Sequence, residues 1–261
     1  MMSRNDGGGE SAGHRPVAAS DLSETVGEQA VRASAELPLF EVMAGMRAMR
    51  RLRPDPVPDE LLERLVEAAT WAPSGSNAQA YAFIVVTGRA QMARLAVLWR
   101  RCVDAYLASA GRAAPQGMDE ASAVRLHEAI AYQRDHFHET PALIIPCYAY
   151  PRPDVRELAG LASLGPVSLA RLAARGPRLG GLAEAASVYP GVQNLLLAAR
   201  AIGLAANITI WHLLLEREWN AALGIPRGVR TFAVIPVGWP LGRFGPVRRR
   251  PTAQVIHRDR W

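Results

Sequence analysis

Three clusters along this chain have the residue types to hold one ligand. Arg47, Arg50, Arg51 and Arg53 crowd into RAMRRLR. Ser74, Gly75, Ser76, Asn77 and Gln79 fill PSGSNAQ, a short bridge between two apolar stretches. Arg248, Arg249 and Arg250 stand together near the end. A guanidinium binds phosphate through two parallel, charge-assisted hydrogen bonds, so two arginine clusters suit a phosphate. Ser, Asn and Gln side chains both donate and accept, which suits a flat ring whose edge alternates donor and acceptor. A phosphorylated ring cofactor with a heteroatom edge would use all three clusters. Each also has a plainer reading: RAMRRLR as a solvated helix face, and Ser-Gly-Ser-Asn as an ordinary turn.

Other chemistries find less support. All 30 basic residues are Arg and none is Lys, which excludes a lysine Schiff base and a Walker-type phosphate lysine. Any fixed positive charge in a site must come from Arg, a backbone N–H or a helix N-terminus. No GxGxxG follows a strand, so a dinucleotide fold is unsupported. GPRLGG lacks both the lysine and the preceding strand of a phosphate loop, and there is no GxSxG nucleophile elbow. His136 and His138 in DHFHE, with His127 nearby, lack the spacing of zinc ligands, so no metal is expected. The net charge of +6 could point to nucleic acid. However, the arginines are scattered among Glu and Asp with no aromatic-interleaved patch, and no nucleic-acid partner is expected. No apolar run is long enough to span a membrane. The polar, Gly-rich opening MMSRNDGGGESAGHRP has no signal pattern. Cys102 and Cys147 are too few for a disulfide framework. A soluble, cytoplasmic protein is expected.

With 261 residues, 49% of them hydrophobic, the chain can bury a sizeable core. Residues 1–36 lack an apolar period and read as a mobile arm. Leu39, Val42, Met43 and Met46 recur at helical spacing, which predicts a first helix with the arginines around its end. PDPVP breaks the chain. Pro58 then opens a second helix, with Asp59 and Glu60 in its first turn and Leu61, Leu62, Leu65, Val66 and Ala69 on its buried face. YAFIVVT reads as a strand. Helical stretches follow at 90–112 and 118–137, and PALIIPCYAY reads as a buried strand. Residues 151–183, rich in Pro and Gly, read as a long loop and hence a lid or insertion. Helix returns at 190–202, with Gly203 at its C-terminal cap, and again near 211–222. TFAVIPVGWP is the last strand. The strands do not alternate regularly with helices, which favours an α+β sandwich over a doubly wound sheet.

RAMRRLRPDPVPDELLERLVEAATWAPSGSNAQ resembles the opening of the FMN-dependent nitroreductase family. VQNLLLAARAIGLAA, LGIP, IPVGWP and RRRP match its later part, so the likeness runs from Phe40 to Trp261, loosely over 151–183. The resemblance implies an α+β sandwich at 37–261, with a mostly antiparallel sheet flanked by helices. It also implies a homodimer with FMN at the interface. Flavin N5 would carry hydride from NADH or NADPH to a small electron-poor acceptor, in ping-pong order, with no catalytic side chain. Arg47 would meet the phosphate, and Arg50 the N1–C2 carbonyl edge. Ser74, Gly75 and Asn77 would line ring and ribityl, with Gln79 further out. Ile208 and Thr209 belong to backbone that faces the ring near N5. Arg249 would close on the phosphate, with Arg248 or Arg250 sharing that role. Ala48 falls among the contacts, but the family often has Ser there and Arg at Met46, so one hydroxyl and one phosphate contact are missing. NAQAY replaces NxQPW, which alters the pocket wall. Two other expectations stay open: reductive dehalogenation or flavin-fragmenting synthesis on the same cradle, and a flavin-binding protein with little catalysis.

Overall fold

The computed structural model describes residues 37–110, 118–149, 160 and 163–261. The expected arm, residues 1–36, lies outside them, as do 151–159 and 161–162 of the expected lid.

The sheet is built on β2 (Ala142–Ala149), whose residues are buried on both faces until Ala149. β1 (Tyr81–Val86) pairs along one edge of it, with Ile84 opposite Ile145. Along the other edge lie two short strands, β4 (Val229–Thr231) and β5 (Ile235–Gly238). β3 (Ala205–Ala206) pairs with β5, and every pairing is antiparallel. TFAVIPVGWP therefore does not form one strand. The break at residues 232–234 falls beside Pro146, which has no N–H for the ladder, although its carbonyl still accepts from Phe232 N at 2.9 Å.

Helices cover both faces. On one, α2 (Asp59–Thr70) and α5 (Pro166–Ala201) pack Leu62, Leu65, Val192, Leu195 and Ala199 against Ile144, Ile235 and Val237. On the other, α3 (Arg89–Ala110), α4 (Glu120–His136) and α6 (Glu216–Leu223) bring Trp99, Ile130 and Trp219 onto Leu143, Ile145 and Val234. Successive β2 residues thus feed opposite cores, as the two-residue period of a strand requires. The expected α+β sandwich is the fold observed.

Two expectations need correction. α1 (Leu39–Gly45) is only seven residues, and Met46 is already extended at ψ 112. The arginine cluster therefore sits on extended chain, not at a helix end. That chain pairs with the tail: Arg53 N donates to Trp239 O at 2.8 Å and Leu241 N to Arg51 O at 3.1 Å, while Val247 N donates to Ala44 O in the last turn of α1 at 2.9 Å. The pairing partner lies at the far end of the sequence, so the helical spacing had no competitor nearby. The second correction concerns 166–183, which form the first half of α5 and not a loop. Pro166 at the first helical position suits the fixed φ of proline, and the helix runs on through Gly180, Gly181 and Pro190 without a break.

Candidate functional site

A cleft of about 390 Å³ opens beside the end of β3. Four parts of the chain meet there. The extended segment after α1 supplies Arg50, α4 supplies Gln133, α5 supplies Tyr189, and residues 207–211 form the adjoining wall.

Arg50 reaches the cleft because Met49 N is tied to Ala206 O at 3.4 Å and the segment is pinned further on by the Leu52–Pro240 bridge. Burial lowers its pKa, and interaction with Tyr106 partly opposes that shift. Guanidinium remains charged at neutral pH all the same. Among the described residues Arg50 forms no ion pair. A largely buried cation with no counter-charge is destabilising unless a ligand supplies an acceptor.

The wall is stiff. Gly203, at φ 79, turns the chain out of α5 into β3. Thr209 uses both backbone groups on Val234, donating N–H at 3.1 Å and accepting at 2.8 Å. Its hydroxyl accepts from Trp211 N at 3.4 Å. The Trp211 ring is stacked on Tyr106, 4.0 Å between centroids, and backed by Trp99 at 5.7 Å. Ile208, half-exposed at the mouth, makes no backbone hydrogen bond among the described residues. Of the two positions expected to offer backbone near the ring, Ile208 alone keeps its N–H available. His212 lies just beyond the cleft. It is fully buried, shares a 3.0 Å hydrogen bond with Thr231, and burial pulls its pKa down to about 4. It is a neutral core residue at pH 7.

The PSGSNAQ loop lies outside the cleft lining. Its backbone is held in an uncommon shape, with Ser76, Asn77 and Gln79 at φ 52, 52 and 48. Left-handed backbone costs about 1–2 kcal/mol per ordinary residue, less for Asn. Part of the loop's polar capacity answers that cost. Ser74 Oγ accepts from Gln79 N at 3.1 Å, and Ser187 Oγ on α5 accepts from Gly75 N at 3.0 Å. Ser187 stands two residues before Tyr189, so α5 links the loop to the cleft. Asn77 and Gln79 are exposed and make no side-chain hydrogen bond among the described residues. They are free to serve a ligand.

The two arginine clusters meet at the tail pairing. The Arg47 guanidinium lies 3.6 Å from where a Cβ on Gly245 would be, and Val247 is bonded to Ala44. Arg248 and Arg249 follow directly, exposed, with Arg249 Nη1 donating to Arg248 O at 2.8 Å. Ala48 is exposed on the same segment. Among the expected site residues, then, Arg50, Ile208 and Thr209 share the cleft, Arg47, Arg248 and Arg249 share the tail junction, and Ser74, Gly75, Asn77 and Gln79 share the loop. Sequence reasoning missed Gln133, Tyr189, Asn207, Ile210 and Trp211. The one available signal was an amide inside each of two apolar patterns, Gln133 in AIAYQ and Asn207 in LAANITI.

Comparison with known proteins agrees with this architecture. A family model described as the nitroreductase family matches residues 43–239. A nitroreductase with bound FMN from Desulfitobacterium hafniense DCB-2 superposes with a TM-score of 0.55 at 20% identity, covering 84% of this chain and 97% of that one. Iodotyrosine deiodinase bound to FMN and 3-iodo-L-tyrosine gives 0.57 at 21% identity, covering 86% and 100%. Nitroreductase A from Vibrio parahaemolyticus RIMD 2210633 gives 0.57 at 17% identity, covering 85% and 75%.

Proposed function

The chain belongs to the nitroreductase family, and from that premise we propose that it is an FMN-dependent oxidoreductase using NADH or NADPH. The observation that carries this reading is Arg50, a largely buried guanidinium facing a cleft with no carboxylate partner among the described residues. A flavin meets that need with the carbonyl edge of its ring. When bound, FMN supplies two-electron chemistry: hydride enters from NADH or NADPH, and electrons leave to a small electron-poor acceptor such as a nitroaromatic or quinone, in ping-pong order.

The chain's own part is to bind, orient and tune. Arg50 would hold negative charge at the ring edge and so stabilise the reduced form. Arg47, with Arg248 or Arg249, would grip the phosphate at the tail junction, where the guanidinium groups are exposed and form no ion pair among the described residues. Ser74 and Gly75 shape the loop, while Asn77 and Gln79 keep side-chain donors and acceptors for ring and ribityl. Ile208 offers a backbone N–H at the mouth. Ala48 and Met46 add neither hydroxyl nor charge, which leaves the phosphate to the remaining arginines. Among the described residues, the cleft lining holds no carboxylate or histidine to act as a proton-transfer base, and His212 lies behind the wall with a pKa of about 4.

The homodimer belongs to the same proposal. Phe40 and Met43 on α1 and Val167, Leu179 and Leu182 on α5 are exposed, an apolar surface that suits a second copy.

The test is the visible spectrum of the purified protein, with its heat-released chromophore identified by chromatography, followed by anaerobic mixing with NADH and NADPH. Stoichiometric FMN that bleaches on mixing is expected, and acceptor screening then separates nitroaromatic and quinone reduction from dehalogenation. Protein that neither carries FMN nor takes it up would overturn the reading.

A further inference from the structure

Asn207 is 1% exposed and Gln133 4% exposed, yet both line the cleft. Gln133 reaches it from α4, where the other buried side chains of that face are Ala123 and Ile130. Its Nε2 donates to Asn207 Oδ1 at 3.0 Å. With its oxygen so engaged, Asn207 is left with a buried Nδ2 that has no partner. A buried amide donor without an acceptor is unfavourable, and native proteins rarely leave one without a reason.

The other polar groups of the cleft sharpen the point. The Tyr189 hydroxyl donates to Phe232 O at 3.1 Å, and the Thr209 hydroxyl accepts from Trp211 N. Among the described residues, the cleft's side-chain donors without a partner include the Arg50 guanidinium and the fully buried Asn207 Nδ2. A ligand seated there must bring acceptors.

We propose that Asn207, oriented by Gln133, donates a hydrogen bond to a carbonyl or ring-nitrogen acceptor of the ligand, and that with Arg50 it selects the flavin by its acceptor edge. This rests on FMN being the ligand. Asn207 is then a binding residue and Gln133 a positioning residue. Gln133 matters for which end of the Asn207 amide it leaves free. A glutamate at 133 can only accept, so Asn207 would turn its NH2 toward it and present oxygen to the cleft. A leucine at 133 would release the amide without reversing it.

FMN titration of the apo full-length chain, followed by flavin fluorescence, tests this. Asn207→Ala and Gln133→Glu should each weaken FMN binding roughly tenfold, the loss of one hydrogen bond. Gln133→Leu should weaken it less. A purely structural role for Gln133 predicts the opposite order, with the isosteric Glu milder than Leu. Near-UV circular dichroism checks that each variant is folded, and if Asn207→Ala does not fold, the order of the two Gln133 variants decides alone. Wild-type binding with unchanged binding in the variants, or Gln133→Leu as the weaker binder, overturns the amide pair and leaves the flavin reading standing. A wild-type chain that takes up no FMN overturns both.

Discussion

Replacing Arg50 should move two measurements in opposite directions. Arg50→Met removes a cation that has no ion-pair partner among the described residues. The flavin-free variant should gain about 0.5–2 kcal/mol, as often happens when a functional site is filled with apolar volume. Its FMN affinity should fall, and thermal unfolding with and without added FMN reads both. His212 sets a second residue-scale expectation. Its imidazole takes up a proton at the ordinary 6.5 when unfolded and only near 4 when folded. Between those values the unfolded chain holds more protons, so stability falls as pH drops through that window, by up to about 3 kcal/mol. Urea unfolding at several pH values should show the slope, and His212→Gln should flatten it. Arg50 could be picked out in the sequence because a charged residue in a motif advertises itself. Asn207 could not, because its significance lies in Gln133, which is remote in sequence and adjacent only once α4 is folded against the sheet.

At the scale of elements, α2 and α5 form the joint that carries the loop. Gly191 lets them meet: a Cβ there would stand 2.7 Å from Ala69 O, a backbone atom with no freedom to move aside. Gly191→Ala would gain about 1 kcal/mol of helix propensity. Overpacking costs typically 1–3 kcal/mol, and a contact this short against backbone belongs at the upper end, so net destabilisation is expected in a denaturant titration. α2 and β2 were legible because their apolar patterns agree with their burial, Leu62, Leu65 and Ala69 on one helix face and an unbroken apolar run in β2, while β1 was legible from its β-branched and aromatic content although only Val86 in it is buried. The first half of α5 was not, because Pro and Gly are turn formers in isolation and no local signal overrules them. The extended chain carrying Arg50 was missed for a related reason: its partner is the tail, brought up from nearly two hundred residues away.

For the whole molecule, the question is what covers the apolar surface. Leu179 and Leu182 are 57% and 58% exposed, on a helix of 36 residues and about 54 Å. If a second copy covers them, Leu179→Glu with Leu182→Glu should shift sedimentation from dimer to monomer, since two carboxylates would be buried without partners. An unchanged dimer would place the interface elsewhere. The antiparallel sheet between two helical layers fits the family, and 43–239 is the span the family model matches.

The exposed first half of α5 also bears on how long the chain survives among proteases. Arg171, Arg175 and Arg178 are exposed on a stretch whose described side chains from 166 to 175 are all exposed among the described residues. Such a stretch opens at little free-energy cost, and trypsin cuts where backbone opens. With no lysine to compete, early nicks should fall at these arginines in dilute protein and fade as concentration rises. The digestion clock would then count how many molecules have found a partner.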